Sequence, residues 1–541
     1  MISKSIYANI RNSSKGVDWN LLIFLLLFLN VKLVVKLIAI ILLCLLQFDF
    51  KFGFRLRNSR LPLFYLVIIG IGILNWLVSA GFSNMNYNVA VLTGTSFWLC
   101  SIFAIHQVKL SVERRDPRVT HNSIQVFFII NAIVSLAVFL MIVYKTGALN
   151  PYLYQGEYQK YFIGTGDYIK GVSFDTSTTN SVLNAFGVIY FLYRKKTPLV
   201  LLCMIILLLT GSNVTNIILC VVLLLVFIFQ SDRDQKSLIV ICFFFLVIFM
   251  AKISPQNNQY LVNSYETILN KPGQQLQPAL TLLSLREKPD STLTPEERKQ
   301  KIAILYLDSS YRAHTENQKI STSPSTATSQ KLFIPADDIN TPKFQHRSVV
   351  TPVEENMFQF ILTHPEALPI SGDSNFHPSY PGKLIAWQQT LRYLKRHPAK
   401  IITGLGTGNF SSKLAFRASG IKVAGAYPEK YKYISNAFMS NHLDLYLFYF
   451  SKADGLHSII NNPSSVYDQL LGEYGVSGLA AFFIFYIGFF LRRADKLTYG
   501  MPLILLLSAT FFMDYWFEQL SIVIFFELLL FLNIKEEKQK V

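Results

Sequence analysis

Along this chain, apolar runs alternate with short polar connections until one long polar stretch interrupts them. Near-continuous Leu, Ile, Val and Phe fall at 19–31, 33–49, 61–80, 88–106, 123–144, 179–193, 198–211, 214–230 and 237–252. They return at 479–491, 501–514 and 516–533. A helix needs about 20 apolar residues to cross the hydrocarbon core, and several runs reach that length while others are short. The pattern predicts an all-α polytopic membrane protein with about twelve transmembrane helices.

Composition agrees with that reading. Only 15% of the residues are charged, against about a quarter in a soluble protein. The net charge of +17 could suggest nucleic-acid binding, but no basic stripe with interleaved aromatics lies on a soluble domain. Lys and Arg instead gather in alternate short connections, as they do in cytoplasmic loops. These are Lys51 to Arg60, Lys109 to Arg118, Arg194 to Lys196, Arg233 to Lys236, Arg492 to Lys496 and Lys535 to Lys540. The other short connections, Ser83 to Asn88, Gly211 to Asn213 and the turn at Asp514, carry neither. Both termini are therefore expected in the cytoplasm.

Three sections follow: 1–252, with the first nine spans and an outer loop at 145–178; 253–478, a large outer loop; and 479–541, the last three spans and a tail. Within the large loop, 255–355 is rich in Ser, Thr, Pro and Gln and too poor in apolar residues to order itself, beyond short helices such as Pro295 to Leu307. The part from 357 to 478 reads as globular and functional. There Leu384 to Lys395 has helical spacing, with Leu384, Trp387, Leu391 and Leu394 on one face. Asn441 to Phe450 reads as an amphipathic helix near the membrane.

Candidate chemistry concentrates in that part. Gly404, Gly406 and Gly408 suggest either a tight turn or a loop cradling phosphate; the spacing is neither a Rossmann fingerprint nor a P-loop. Lys383, Arg392, Arg396, Lys413 and Arg417 surround it, either as a solvated face or as groups that neutralise a diphosphate. Of the loop histidines, His442 and His457 flank the membrane-proximal helix and suit a base acting near neutral pH. The loop at 145–178 combines tyrosines with Lys170, fitting interfacial anchors or a sugar-stacking surface. The five cysteines all lie in apolar runs, so no disulfide or Cys-based metal site is expected in the large loop. The first outer connection, Asn30 to Lys32, has no acid to hold a divalent cation.

From Pro381 to Phe490 the chain resembles the O-antigen ligase and polymerase superfamily. The resemblance rests on Lys383-Leu-Ile-Ala-Trp387, His397-Pro398 leading to Gly404-Leu-Gly-Thr-Gly-Asn-Phe410, and Ser464-Ser-Val-Tyr-Asp-Gln-Leu-Leu-Gly-Glu-Tyr-Gly-Val-Ser-Gly478. Leu209-Thr-Gly-Ser-Asn213 adds to it, as does one long outer loop before the last spans. The resemblance implies a GT-C-like fold in a bacterial inner membrane, with the large loop mainly helical and periplasmic. It implies inverting, metal-independent transfer of a glycan from undecaprenyl diphosphate to lipid A-core or to another lipid-linked glycan, with no cofactor. Lys383 and Arg417 are then expected on the diphosphate, His457 as base, and Glu473 and Tyr467 as orienting groups. Arg392, Arg396, His442, Ser464, Asn213 and Lys170 are candidate substrate contacts. Asn213, Lys383 and Ser464 stand where the family has arginine, arginine and histidine. Either His457, or His442 with Arg417, takes over their work, or the chemistry is altered or lost. Transfer of the same glycan to protein Ser/Thr is one alternative. A polysaccharide transporter or flippase is another, although the spans hold few ionisable groups, with Lys36 and Glu518 as exceptions.

Overall fold

The structure is a computed structural model that describes residues 16–79, 81–153, 165–253, 381–421, 425, 427–450, 459–494 and 497–540. Among these residues every regular element is helical. The expected segment at 255–355, the short helix at Pro295 to Leu307, and His457 lie outside them.

Among the described residues, four helices are long and apolar enough to cross a bilayer: Met85–Arg114, Pro117–Thr146, Arg233–Ile253 and Val466–Leu491. Shorter apolar helices complete the bundle, among them Trp19–Phe28, Leu33–Leu46, Phe64–Val78, Thr197–Leu209, Asn213–Phe229 and Gly500–Thr510. The centre is taken by two helices. Every residue from Ser521 to Ile534 in the Ser521–Lys540 helix is buried, and so is almost all of Ser177–Tyr193. A helix apolar on all sides belongs in the interior. The perimeter does the reverse. Ile41, Leu74, Val221, Phe244 and Val247 are each more than half exposed, on faces where a soluble protein would put charge. An apolar belt around a helical bundle is the surface a bilayer covers. The protein is membrane-embedded.

Inside the belt, helices are joined by buried polar side chains, the usual device where lipid removes the hydrophobic drive to associate. Asn180 Nδ2 donates to Ser135 Oγ (3.1 Å) and Ile169 O (2.9 Å), while its Oδ1 accepts from Asn131 Nδ2 (2.9 Å). Tyr65 donates its hydroxyl to Glu527 Oε1 at 2.6 Å, with both residues fully buried. Glu527 is thus a further ionisable group inside a span, beyond the two noted from sequence.

The two ends of the bundle differ. At one end, Arg60 and Lys109 pair with Glu113, Arg114 with Asp49, and Arg115 with Asp18. Lys535 reaches into the same group and donates to Val112 O at 2.7 Å. At the other end the connections bond one another: Val31 N to Ser173 O (2.8 Å), Asn75 Nδ2 to Thr403 O (2.8 Å) and Asn86 Nδ2 to Lys432 O (2.9 Å).

Three expectations change. The Ser464–Gly478 motif, read as leading into a span at 479, is itself helix from Val466 and is almost wholly buried. Its three glycines and its polar residues give it the look of a loop, yet Gly475 alone leaves helical geometry (φ 68°). The run at 516–533 is split: Trp516–Gln519 forms a separate turn, Leu520 takes φ 67°, and the long helix starts at Ser521. Glu518 therefore lies in an elbow rather than in a continuous span. The helix near Leu384 exists, as Gly382–Arg396, but it buries Gly382, Ile385, Ala386, Thr390 and Leu394 while Leu384 and Leu391 point outwards. The buried face includes Gly382 because it passes against the Asn461 backbone, where a Cβ would sit 2.1 Å from a carbonyl oxygen.

Candidate functional site

At the Asn75 end of the bundle, segments from 381–450 seat on the Val466–Ala481 helix. The glycine turn is the fastening. Gly404, Gly406 and Gly408 have φ of 70°, 98° and 76°, a region closed to most side chains. Leu405 N donates to Gly472 O (3.0 Å) and Gly406 N to Glu473 O (2.9 Å). The Glu473 carboxylate, fully buried, accepts from Gly408 N (2.9 Å) and Phe410 N (3.3 Å). The tight turn is realised, and its amides are directed at protein.

A second fastening is His442 on Asp468. His442 Nε2 bonds Asp468 Oδ2, and both residues have zero exposure. Asp468 also accepts from Thr390 Oγ1 (2.5 Å) and Ser411 Oγ (3.1 Å), and Ser411 bonds the Tyr515 hydroxyl. Lys383 is the third. Its Nζ donates to Ser464 O (2.5 Å) and Met513 O (2.9 Å), tying the start of one helix to the end of another. Burial pulls the Lys383 ammonium down to about 7, against the opposing pull of Asp514 and Asp468.

The group with room for something else lies beside the elbow. Lys36, Asp175, Lys413, Arg417 and Glu518 line one small cavity together with Val31, Leu33, Phe97 and Gln519. Each comes from a different part of the chain, apart from the neighbours on the Lys413–Ala418 helix. Lys36 Nζ is held by Phe28 O (2.8 Å) and Ser521 Oγ (2.7 Å). Glu518 accepts from Leu414 N (2.8 Å) and Gln469 Nε2 (2.7 Å), which fix its carboxylate. Arg417 lies over the Phe97 ring at 5.3 Å. Desolvation lowers its guanidinium from the usual value, and Glu518 opposes this. The cavity measures about 20 Å³, room for about one water. Any larger anion requires it to widen.

The residues singled out from sequence are thus dispersed. Arg417 lines the cavity, with Lys413 from the same cationic group. Lys383 does not; its ammonium is committed to two carbonyls. Glu473 and His442 are enclosed by protein. Tyr467 donates its hydroxyl to Ser508 O (2.8 Å), and Ser464 serves Lys383 through its carbonyl. Asn213 is the buried first residue of its helix. Lys170 and Arg396 are exposed and Arg392 half-exposed, none of them at the cavity. Of the other charged cavity residues, Asp175 was missed, and Lys36 and Glu518 were noted only as ionisable groups inside spans. The available signal was a lysine and a glutamate inside apolar runs, which are costly there unless they have work to do.

Comparison with protein-family models, with curated proteins and with solved structures finds no match.

Proposed function

We propose that this chain is a bacterial inner-membrane glycosyltransferase that takes a glycan from undecaprenyl diphosphate, with about twelve spans in a GT-C-like arrangement. The Lys535 end, rich in Lys and Arg, faces the cytoplasm under the rule that cytoplasmic loops are basic, and the Asn75 end faces the periplasm. The observation that supports the reading is the convergence of Lys36, Lys413 and Arg417 with two carboxylates in one cavity at that end. Cations placed where negative charge grows stabilise a leaving diphosphate.

In this reading the acceptor hydroxyl attacks the anomeric carbon while the bond from that carbon to the diphosphate oxygen breaks. The electron pair leaves on the diphosphate, neutralised by Lys413, Arg417 and Lys36. The hydroxyl proton goes to a carboxylate of the same cavity. Glu518 is suited to that, because Leu414 N and Gln469 Nε2 fix its carboxylate at the cavity. His457, given that role from sequence, lies outside the described residues. Lys383 positions rather than binds: it holds the elbow that carries Glu518.

The test is transfer by the full chain in nanodiscs, with undecaprenyl-diphosphate glycan as donor and lipid A-core as acceptor. The wild type is expected to release undecaprenyl diphosphate. The K413A/R417A variant should insert normally and lose the activity. Absence of release by the wild type from every donor and acceptor tried would overturn the reading. Profiling lipopolysaccharide against periplasmic proteins in a deletion strain separates a glycan acceptor from a protein hydroxyl.

A further inference from the structure

A second cavity, of about 360 Å³, opens on the perimeter of the bundle and shares no lining residue with the first. It lies between the Pro117–Thr146, Thr197–Leu209 and Arg233–Ile253 helices, and Phe139, Ile205, Leu208, Phe245 and Phe249 form its walls. Its Asn75-side end is bounded by the 3₁₀ turn Pro151–Leu153, where the Tyr152 hydroxyl donates to Leu209 O (2.5 Å) and the ring meets Phe249 edge-on at 5.3 Å. Asn150 Nδ2 donates to Ile253 O at 3.1 Å, so the polar atoms at this rim serve the protein itself.

We infer that this slot holds one acyl chain of an anionic phospholipid as a fixed part of the folded protein. Three observations name the occupant. The slot is continuous with the lipid-covered belt: Leu140, Phe244 and Val247, on two of the helices that form it, are all more than 60% exposed. Its walls are apolar, and a void of this size between packed helices forgoes dispersion contacts unless hydrocarbon fills it. At about 360 Å³ the slot is on the scale of one acyl chain. Finally, Lys145 and Lys252 are exposed at the ends of two of the helices that line it, and both those ends lie on the Asn75 side. An apolar slot beneath two cations matches a lipid whose head is negative.

The inference does not depend on the proposed reaction. It is tested on the full chain in nanodiscs of phosphatidylethanolamine and phosphatidylglycerol that contain a trace of phosphatidylglycerol with a photoreactive group midway along one acyl chain. After irradiation, label is expected on the peptides that contain Leu208 and Phe249. Leu208→Trp, which fills the slot, and Ile205→Trp, which crosses its mouth from a partly exposed position, should each lower that labelling about tenfold while circular dichroism stays unchanged. The K145E/K252E variant should lose labelling by phosphatidylglycerol but keep labelling by a trace of phosphatidylcholine that carries the same photoreactive chain; undiminished labelling by phosphatidylglycerol overturns the anionic assignment. Labelling that persists in both Trp variants overturns the inference. So does displacement of the label by undecaprenyl phosphate at equal concentration, which would give the slot to the prenyl chain.

Discussion

His442 and Asp468 meet in a pair from which water is wholly excluded, and that pair joins the segment around 436–450 to the Val466–Ala481 helix. Asp468 is at the same time the acceptor for Thr390 and Ser411. Removing one partner of such a pair strands the other in a dry site, which costs roughly 3–5 kcal/mol. D468A and H442A should each destabilise the fold by that order, seen as a lower midpoint of thermal unfolding in detergent. H442F/D468L should recover part of the loss, because neither polar group then stays behind without its partner. If D468A unfolds at the wild-type temperature, the pair does not hold these segments together.

Glycine substitutions should separate fastening from filler. At Gly475, with φ 68°, a Cβ would lie 2.3 Å from Ile402 O. G475A is therefore expected to destabilise by more than about 2 kcal/mol. At Gly70, exposed on the Phe64–Val78 helix, a Cβ meets nothing within 4 Å. G70A should be neutral or stabilising by about 0.5–1 kcal/mol. Equal effects of the two changes on urea unfolding would contradict the fit of the turn against the helix.

Lys383 has a pH signature. Its folded value, about 7, is below the value of about 10 for a free lysine. Between these pH values the unfolded chain binds more protons, so stability rises with pH across that interval and levels off on either side. K383M should remove this slope while costing roughly 1–3 kcal/mol through the carbonyls left without a donor. Unfolding midpoints measured from pH 6 to 10 decide it, and an identical slope in K383M would reject the assignment.

Pyrophosphate offers a probe of the cationic cavity that needs no glycan. Ligand present at a hundred times its Kd adds about 2.7 kcal/mol to the folded state. The wild type should gain thermal stability with pyrophosphate, less so in high salt, and K413A/R417A should gain none. A shift of equal size in the double variant would move anion binding elsewhere.

The helices were legible because hydropathy is local: each apolar run that is described lies in or beside a helix. The site was less legible, since its residues acquire meaning only from distant partners. Lys383 reads as a phosphate ligand until Ser464 and Met513 are brought to it. Glu473 reads as an orienting group until the amides of Gly408 and Phe410 close over it. The split at Leu520 was hidden for another reason: a leucine with positive φ leaves no mark in composition.

From Ser521 to Ile534 the Ser521–Lys540 helix is buried, yet it comes after the other described helices along this chain. Until that helix is in place, the Tyr65 hydroxyl lacks the Glu527 carboxylate that accepts its hydrogen bond. Assembly is a closing of walls around a late arrival, so an unfinished chain is left as a ring of quality-control targets with no axis to gather on.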